Sequence, residues 1–191
     1  MAFNILVNSC VRRPSFSLLE SAFKAYGGPN GDIDADKSPC KDKIATNQCA
    51  VRLSIALVRC GFGMEGFPVR HRVHSGRSNC GNIPLPDHVL GAQELERFLR
   101  NALGVSREFR KEDDNFNNAY TELNRNSLKG IIYFNDIFLR QDGSAGDHID
   151  LFNGTICGNE WLKITPGGGT GFGTRSFFRR ANRISFFELP R

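Results

Sequence analysis

At Lys129 the hydrophobic periodicity of this chain changes, and that change constrains its fold more than any other feature. Upstream, apolar residues recur at intervals of three and four. Downstream they run continuously or alternate with period two. Helices followed by strands, with no alternation of the two, predict an α+β architecture in which N-terminal helices pack on an antiparallel sheet. The 191 residues suffice for one well-buried domain, here taken as 1–191, and the sequence has no internal repeat or domain linker.

Three helices are expected. The first covers about 14–26, with Phe16, Leu18, Leu19, Ala22 and Phe23 at helical spacing and Ser15 or Ser17 as N-cap. Gly27-Gly28-Pro29-Asn30-Gly31 breaks it, and a polar loop runs to about Lys43. The second, from Cys49 to Arg59, is apolar nearly all round, the pattern of a helix central to a domain, and Gly61 and Gly63 end it. After a weakly periodic stretch at 68–86 with one short strand, a third helix spans about 91–103 and stops at Gly104. Residues 106–128 are so polar that they read as a surface excursion. The expected strands are 130–134, 148–152 and 184–189. Asn153-Gly154 marks a tight turn, after which Thr155-Ile156-Cys157 resumes the sheet. Gly167 to Gly171 is a glycine-rich loop lacking the Lys-Ser or Lys-Thr of a phosphate loop.

Composition excludes some functions. Hydrophobic content is 40% and charged content 24%, ordinary for a globular protein. No apolar run approaches the roughly 20 residues that span a bilayer, so no membrane partner is expected. The first ten residues have no cationic leader ahead of a long apolar stretch, and a signal peptide is not expected. Net charge is +5 and the pI about 9.0, which suits an anionic partner. Arg175, Arg179, Arg180, Arg183 and Arg191 alternate with Phe177, Phe178, Phe186 and Phe187. They form either a stacking surface for bases or, more simply, strands with one face in the core. Nucleic acid is not the expected partner. The six cysteines, at 10, 40, 49, 60, 80 and 157, contain no C-x-x-C pair, and sequence alone assigns no disulfide. His71, His74 and Cys80 lack a usual zinc spacing and a fourth ligand, so neither a metal nor another cofactor is expected.

The chemistry rests on two residues. Cys49 sits in the first turn of the central helix, where partial positive charge favours a thiolate. His148 opens a strand, in reach of acting as general base or ion-pair partner. Cysteine first, on a helix, and histidine about a hundred residues later, on a strand, is the chain order of papain-like hydrolases. Cys60 falls at the far end of the same helix and reads as core or disulfide.

Three blocks in order carry a family resemblance: Asn47-Gln48-Cys49-Ala50-Val51-Arg52-Leu53-Ser54, Lys129-Gly130-Ile131-Ile132, and His148-Ile149-Asp150-Leu151-Phe152-Asn153-Gly154, with Phe186-Phe187-Glu188-Leu189-Pro190 closing the chain. They resemble the type VI secretion amidase effectors, fourth family, over roughly 14–191. That resemblance implies a papain-like, NlpC-type fold. It implies an antibacterial cysteine amidase that cuts the D-glutamyl–meso-diaminopimelate bond of the peptidoglycan stem peptide. Such a protein is made in the cytoplasm, delivered by the type VI secretion machinery to the target-cell periplasm, and blocked by a periplasmic immunity protein.

In that family an aspartate eleven residues after the histidine completes the triad. The matching position here is Asn159, which can accept the imidazole N–H through its side-chain oxygen. Asp150, on the same strand face as His148, is the alternative orienter. The expected catalytic set is therefore Cys49, His148 and Asn159, with Asp150 in reserve. Arg52 and Arg70 are candidates for the carboxylates of the stem peptide. Where some relatives have a cysteine to pair with the one matching Cys157, this chain has Trp161. Two other readings compete: a basic, non-enzymatic binding module for nucleic acid or wall polymer, and a transglutaminase-like or acyltransferase use of the same triad.

Overall fold

Residues 49–57 have no polar face to give to water, and all nine are buried. The rest of the fold is built around them. The computed structural model describes residues 13–24, 49–64, 67, 72–73, 88–89, 91–139, 143–157 and 174–191. In chain order these form α1 (Phe16–Lys24), α2 (Cys49–Arg59), β1 (Arg72–Val73), β2 (His88–Val89), α3 (Ala92–Leu103), β3 (Arg107–Arg110), a 3-10 turn (Phe116–Asn118), α4 (Ala119–Arg125), β4 (Gly130–Leu139), β5 (Ala145–Phe152), α5 (Thr174–Arg180) and β6 (Arg183–Glu188).

The helix ends follow from their capping residues. Ser15 Oγ accepts the Leu18 N–H at 3.3 Å and starts α1, as its place in the sequence predicts. Gly61, at φ +76°, ends α2, and the Phe62 N–H returns to the Leu57 carbonyl. Helix α3 buries Leu95, Leu99 and Leu103, one residue per turn, before Gly104 stops it.

Four strands make an antiparallel sheet in the order β3-β6-β4-β5. Alternation along β4 sends Ile131 and Tyr133 to one face and Ile132 and Phe134 to the other. The first face joins Ile149, Leu151 and Phe187 to α1, α2 and α3. The second joins Phe109, Phe152, Ile184 and Phe186 to Phe116, α4 and α5. The small β1–β2 pair attaches to α2 where the Val89 N–H donates to Ser54 Oγ at 2.9 Å.

The structure corrects several sequence expectations here. Residues 106–128 are no surface excursion: β3 pairs with β6, and Phe109, Phe116, Ala119 and Leu123 are buried. Their polar neighbours outnumber these anchors and mask them in the sequence. The Arg/Phe stretch at 174–180 is a helix, and it buries Phe177 and Phe178 while Arg175, Arg179 and Arg180 stay exposed. Burying each phenylalanine is worth about 1.5–3 kcal/mol, and adjacent phenylalanines share one side of a short helix better than one side of a strand. Strands β4 and β5 also run longer than the sequence suggests. Beyond Asn153-Gly154 the chain makes a single bridge, Phe152 to Ile156, in place of a resumed strand. Among the described residues no helix is long and apolar enough to cross a membrane.

Candidate active site

His148 owes its position to an irregularity on the neighbouring strand. Between Phe134 and Phe138 the β4–β5 register shifts, and Asp136 there adopts φ +58°. Aspartate tolerates this left-handed conformation better than most residues. Asp147 pins the irregularity: its Oδ1 accepts both the Asp136 N–H and the Asn135 side-chain amide, each at 3.0 Å. Gly146 lies against the Phe138 ring, where a Cβ would come within 2.1 Å and force the ring to shift. The register is thereby set immediately before His148, which pairs with Phe134.

Strand β5 is the last strand of the described sheet on its side, and α2 packs against it. That contact brings the start of the helix to the strand. Cys49 belongs to the first core, whereas the His148 ring lies 5.3 Å from the Phe177 ring of the second. The pair thus sits where the two cores meet.

His148 is buried to 1% exposure and hydrogen-bonded to two partners, Asp150 and Cys49. Its Nε2 lies 3.1 Å from Asp150 Oδ2. Burial alone would lower the imidazole pKa, but the hydrogen bonds and charges of Asp150 and Cys49 outweigh it and push the value up to about 10. Asp150 is itself fixed, its Oδ1 accepting the Leu151 N–H at 2.7 Å. The expected residues Cys49, His148 and Asp150 therefore come together; Asn159 lies outside the described residues. Two residues apart on one strand, the Asp150 and His148 side chains lean together closely enough to bond, so no neighbouring strand is required for this contact.

Arg52 is not displayed for a ligand. It is 5% exposed, its Nε donates to the Phe23 carbonyl at 3.1 Å, and its guanidinium stacks 4.1 Å above the Phe23 ring. Burial lowers its pKa, against the opposing charges of Asp150 and Cys157. Arg70 lies outside the described residues. Cys60 and Cys157 are half-buried thiols. Burial raises the Cys60 pKa, and burial with the nearby Asp150 and Glu20 pushes Cys157 up to about 12. Neither thiol is poised for attack.

A second polar cluster lies across the sheet. Buried Glu96 accepts from Arg100 at 2.8 Å, from Arg183 at 3.3 Å and from the Ser185 hydroxyl at 3.0 Å. Arg100 also bonds Glu108, which accepts from Arg110. These links tie α3 to β3 and β6 and bear no nucleophile. The sequence reading singled out none of Asp136, Gly146, Asp147 or Glu96. Asn135-Asp136 inside a strand and Gly146-Asp147 directly before the histidine are the signals available for the first three. Among the described residues no group of three His, Cys, Asp or Glu could hold a metal ion; His71, His74 and Cys80 lie outside them.

Comparison with known proteins bears on the fold and the family. A search of curated proteins returns no match. Among solved structures, the chain is similar to one from the effector–immunity system Tae4/Tai4 of Salmonella typhimurium. The two are 19% identical, with a TM-score of 0.57 over 94% of this chain and 100% of that one. This likeness shows the fold, the papain-like NlpC-type arrangement of helices on an antiparallel sheet. A family profile described as type VI secretion system amidase effector protein 4 matches residues 45–187, from just before Cys49 through β6. The chain belongs to that family of amidase effectors.

Proposed function

We propose that this protein is a cysteine amidase of the bacterial cell wall, cleaving the D-glutamyl–meso-diaminopimelate bond of the peptidoglycan stem peptide. The observation that carries the reading is the Cys49–His148–Asp150 chain of contacts at the α2–β5 junction. Cys49 and Asp150 both contact the one imidazole ring, which can therefore take the proton of the thiol while the carboxylate orients it. Cys49 gives its proton to His148 and attacks the amide carbonyl as thiolate, and backbone N–H groups at the start of α2 stabilise the oxyanion. His148 then protonates the departing amine of diaminopimelate as the C–N bond breaks. The thioester left on the D-glutamyl carbonyl is hydrolysed by a water that His148 deprotonates, which restores the thiol.

Membership of a secreted effector family supports delivery to the periplasm of a rival cell, and the effector–immunity structure supports a protective partner protein in the producer. The base-stacking alternative loses its surface: Phe177, Phe178, Phe186 and Phe187 are all buried.

Purified peptidoglycan incubated with the protein tests the reading, with the new ends identified by mass spectrometry. A freed diaminopimelate amine opposite a freed D-glutamate carboxyl is the expected product. Cleavage at another bond refutes the substrate assignment, transfer of the acyl group to an added amine in place of water points to the acyltransferase use, and intact sacculi refute the amidase.

A further inference from the structure

Beyond its contacts with Asp150 and Cys49, His148 is constrained from two further sides, and both trace to one residue. On its own strand the preceding residue, Asp147, accepts from the Asn135 amide and the Asp136 N–H at 3.0 Å each. Against its ring lies Phe177 of α5, with the ring centroids 5.3 Å apart and the planes tilted by 36°. Helix α5 is joined to the same irregularity of β4 at its C-terminal end. Asn182, between α5 and β6, donates its backbone N–H to the Asn135 carbonyl at 3.0 Å. Its side-chain amide donates to Asp136 Oδ2 at 3.2 Å. We propose that Asp136 is a positioning residue, which locks the strand just before His148 to the helix whose Phe177 abuts the imidazole. The inference rests on the amidase reading above, which makes the placement of that ring matter.

Three observations support this role. First, Asp136 holds φ +58°, a conformation most side chains avoid, inside a ten-residue strand. An irregularity of that kind interrupts the ladder and re-aims the side chains beside it. The next paired residue on the partner strand is His148 itself, opposite Phe134. Second, the two hydrogen bonds of Asp136 reach different elements, the N–H to β5 and the carboxylate to the α5–β6 junction. Third, that junction is itself tied. The Ala181 N–H bonds the Phe177 carbonyl at 3.1 Å, and the Asn182 carbonyl accepts the Lys111 N–H at 2.9 Å. A displacement at 182 is therefore passed back to Phe177. The Phe134 ring, 5.5 Å from that of Phe177, closes the frame. The imidazole thus lies within β4, β5 and α5, and Asp136 is the corner that joins all three. A general base serves both thiol and leaving amine only within a narrow range of distance and angle, and an error of about 1 Å costs on the order of 10²-fold.

The test joins nuclear magnetic resonance of the His148 ring protons, at one fixed pH, to the peptidoglycan assay. The ring signals are assigned by their loss in His148→Gln, and the ring current of Phe177 makes them report where the imidazole sits beside α5. Asp136→Val is β-branched and lacks the carboxylate. It should shift the signals and lower kcat by about 10–10²-fold with KM nearly unchanged. Asp136→Asn keeps the tolerance of a positive φ and an oxygen for the Asn182 amide. It should recover the wild-type signals and bring kcat back to within about threefold. Should Asp136→Val fail to fold, Asn182→Ala cuts the α5 link alone and should shift the same signals, with kcat lowered about threefold to tenfold. Unmoved ring signals in the folded variants overturn the proposal, and so does a failure of Asp136→Asn to recover them. A shift of equal size in Glu96→Gln, which loosens only the α3 cluster, also overturns it. If the signals move as expected while wild-type protein leaves peptidoglycan intact, the amidase reading fails and the positioning role stands.

Discussion

Two buried charge clusters among the described residues are built on opposite plans. Glu96 is saturated: two arginines and a serine converge on one carboxylate, and Arg100 and Glu108 extend the network towards solvent. His148 is buried just as deeply, yet its charge is shared with one carboxylate and one thiol. A carboxylate with so many donors holds three elements in register. A histidine held between an acid and a nucleophile must change its state to be useful. Burial alone does not separate the two; the number and kind of partners does.

Mutating one residue in each cluster gives the largest contrast. Cys49→Ala should lower amidase turnover by roughly 10⁴-fold or more while leaving the melting temperature nearly unchanged. Turnover surviving in Cys49→Ala would remove the catalytic half of the comparison. Next in size is the orienting residue. Asp150→Ala should cost about 10²–10⁴-fold in kcat, and more than Asn159→Ala does. The reverse order in folded variants would transfer the orienting role to Asn159.

On the structural side, Glu96→Gln should destabilise the fold by about 1–3 kcal/mol, because Arg183 and Ser185 lose a charged acceptor. Its kcat should stay within about threefold of wild type, checked by denaturant titration beside the amidase assay.

A pH series separates the clusters further. The folded pKa of His148, about 10, exceeds its ordinary 6.5. The stabilisation this shift represents is fully present below about 6.5 and is lost as pH rises through about 10. Urea titrations across that window should show stability falling with rising pH in wild type and a shallower fall in His148→Gln. Identical slopes would place the alkaline loss elsewhere. The smallest effect belongs to Tyr133, whose buried hydroxyl has no hydrogen-bond partner of normal geometry among the described residues. Burial and the nearby Asp147 raise its pKa. Tyr133→Phe should change stability by less than about 1 kcal/mol, and a larger loss would reveal a functional bond to that oxygen.

Sequence reasoning reaches the parts of this fold where one face or one element dominates the pattern. The helix at 49–59 is legible because it is apolar all round, and Cys49 at its start and His148 on a strand follow from local context. Residues 106–128 are not legible, because a few buried anchors are spread among many charged neighbours and only pairing with β6 makes sense of them. The Arg/Phe stretch misleads for a related reason: Phe177 and Phe178 are adjacent, and their common burial depends on tertiary contacts with Phe134 and Tyr120. In the site, a same-strand neighbour was visible as a candidate, but the contact between Asp150 and His148 depends on side-chain lean that spacing does not encode. Arg52 shows the same limit. Its position after the cysteine suggested a ligand for carboxylates, and its burial against Phe23 is a property of how α1 meets α2.

The placement of β6 has a consequence for how the protein is made. This strand, the last of those described, lies between β3 and β4 and bonds to both. Helix α2 and the β4–β5 pair can leave the ribosome with every reacting group already synthesised, but the sheet that unites the two cores cannot close until residues 183–188 follow. Pairings of such long sequence separation are slow to form. Until then the nascent chain exposes the apolar edges of β3 and β4 and is open to chaperones and proteases. Assembly of the reacting pair on its finished scaffold thus waits for the synthesis of residues 183–188.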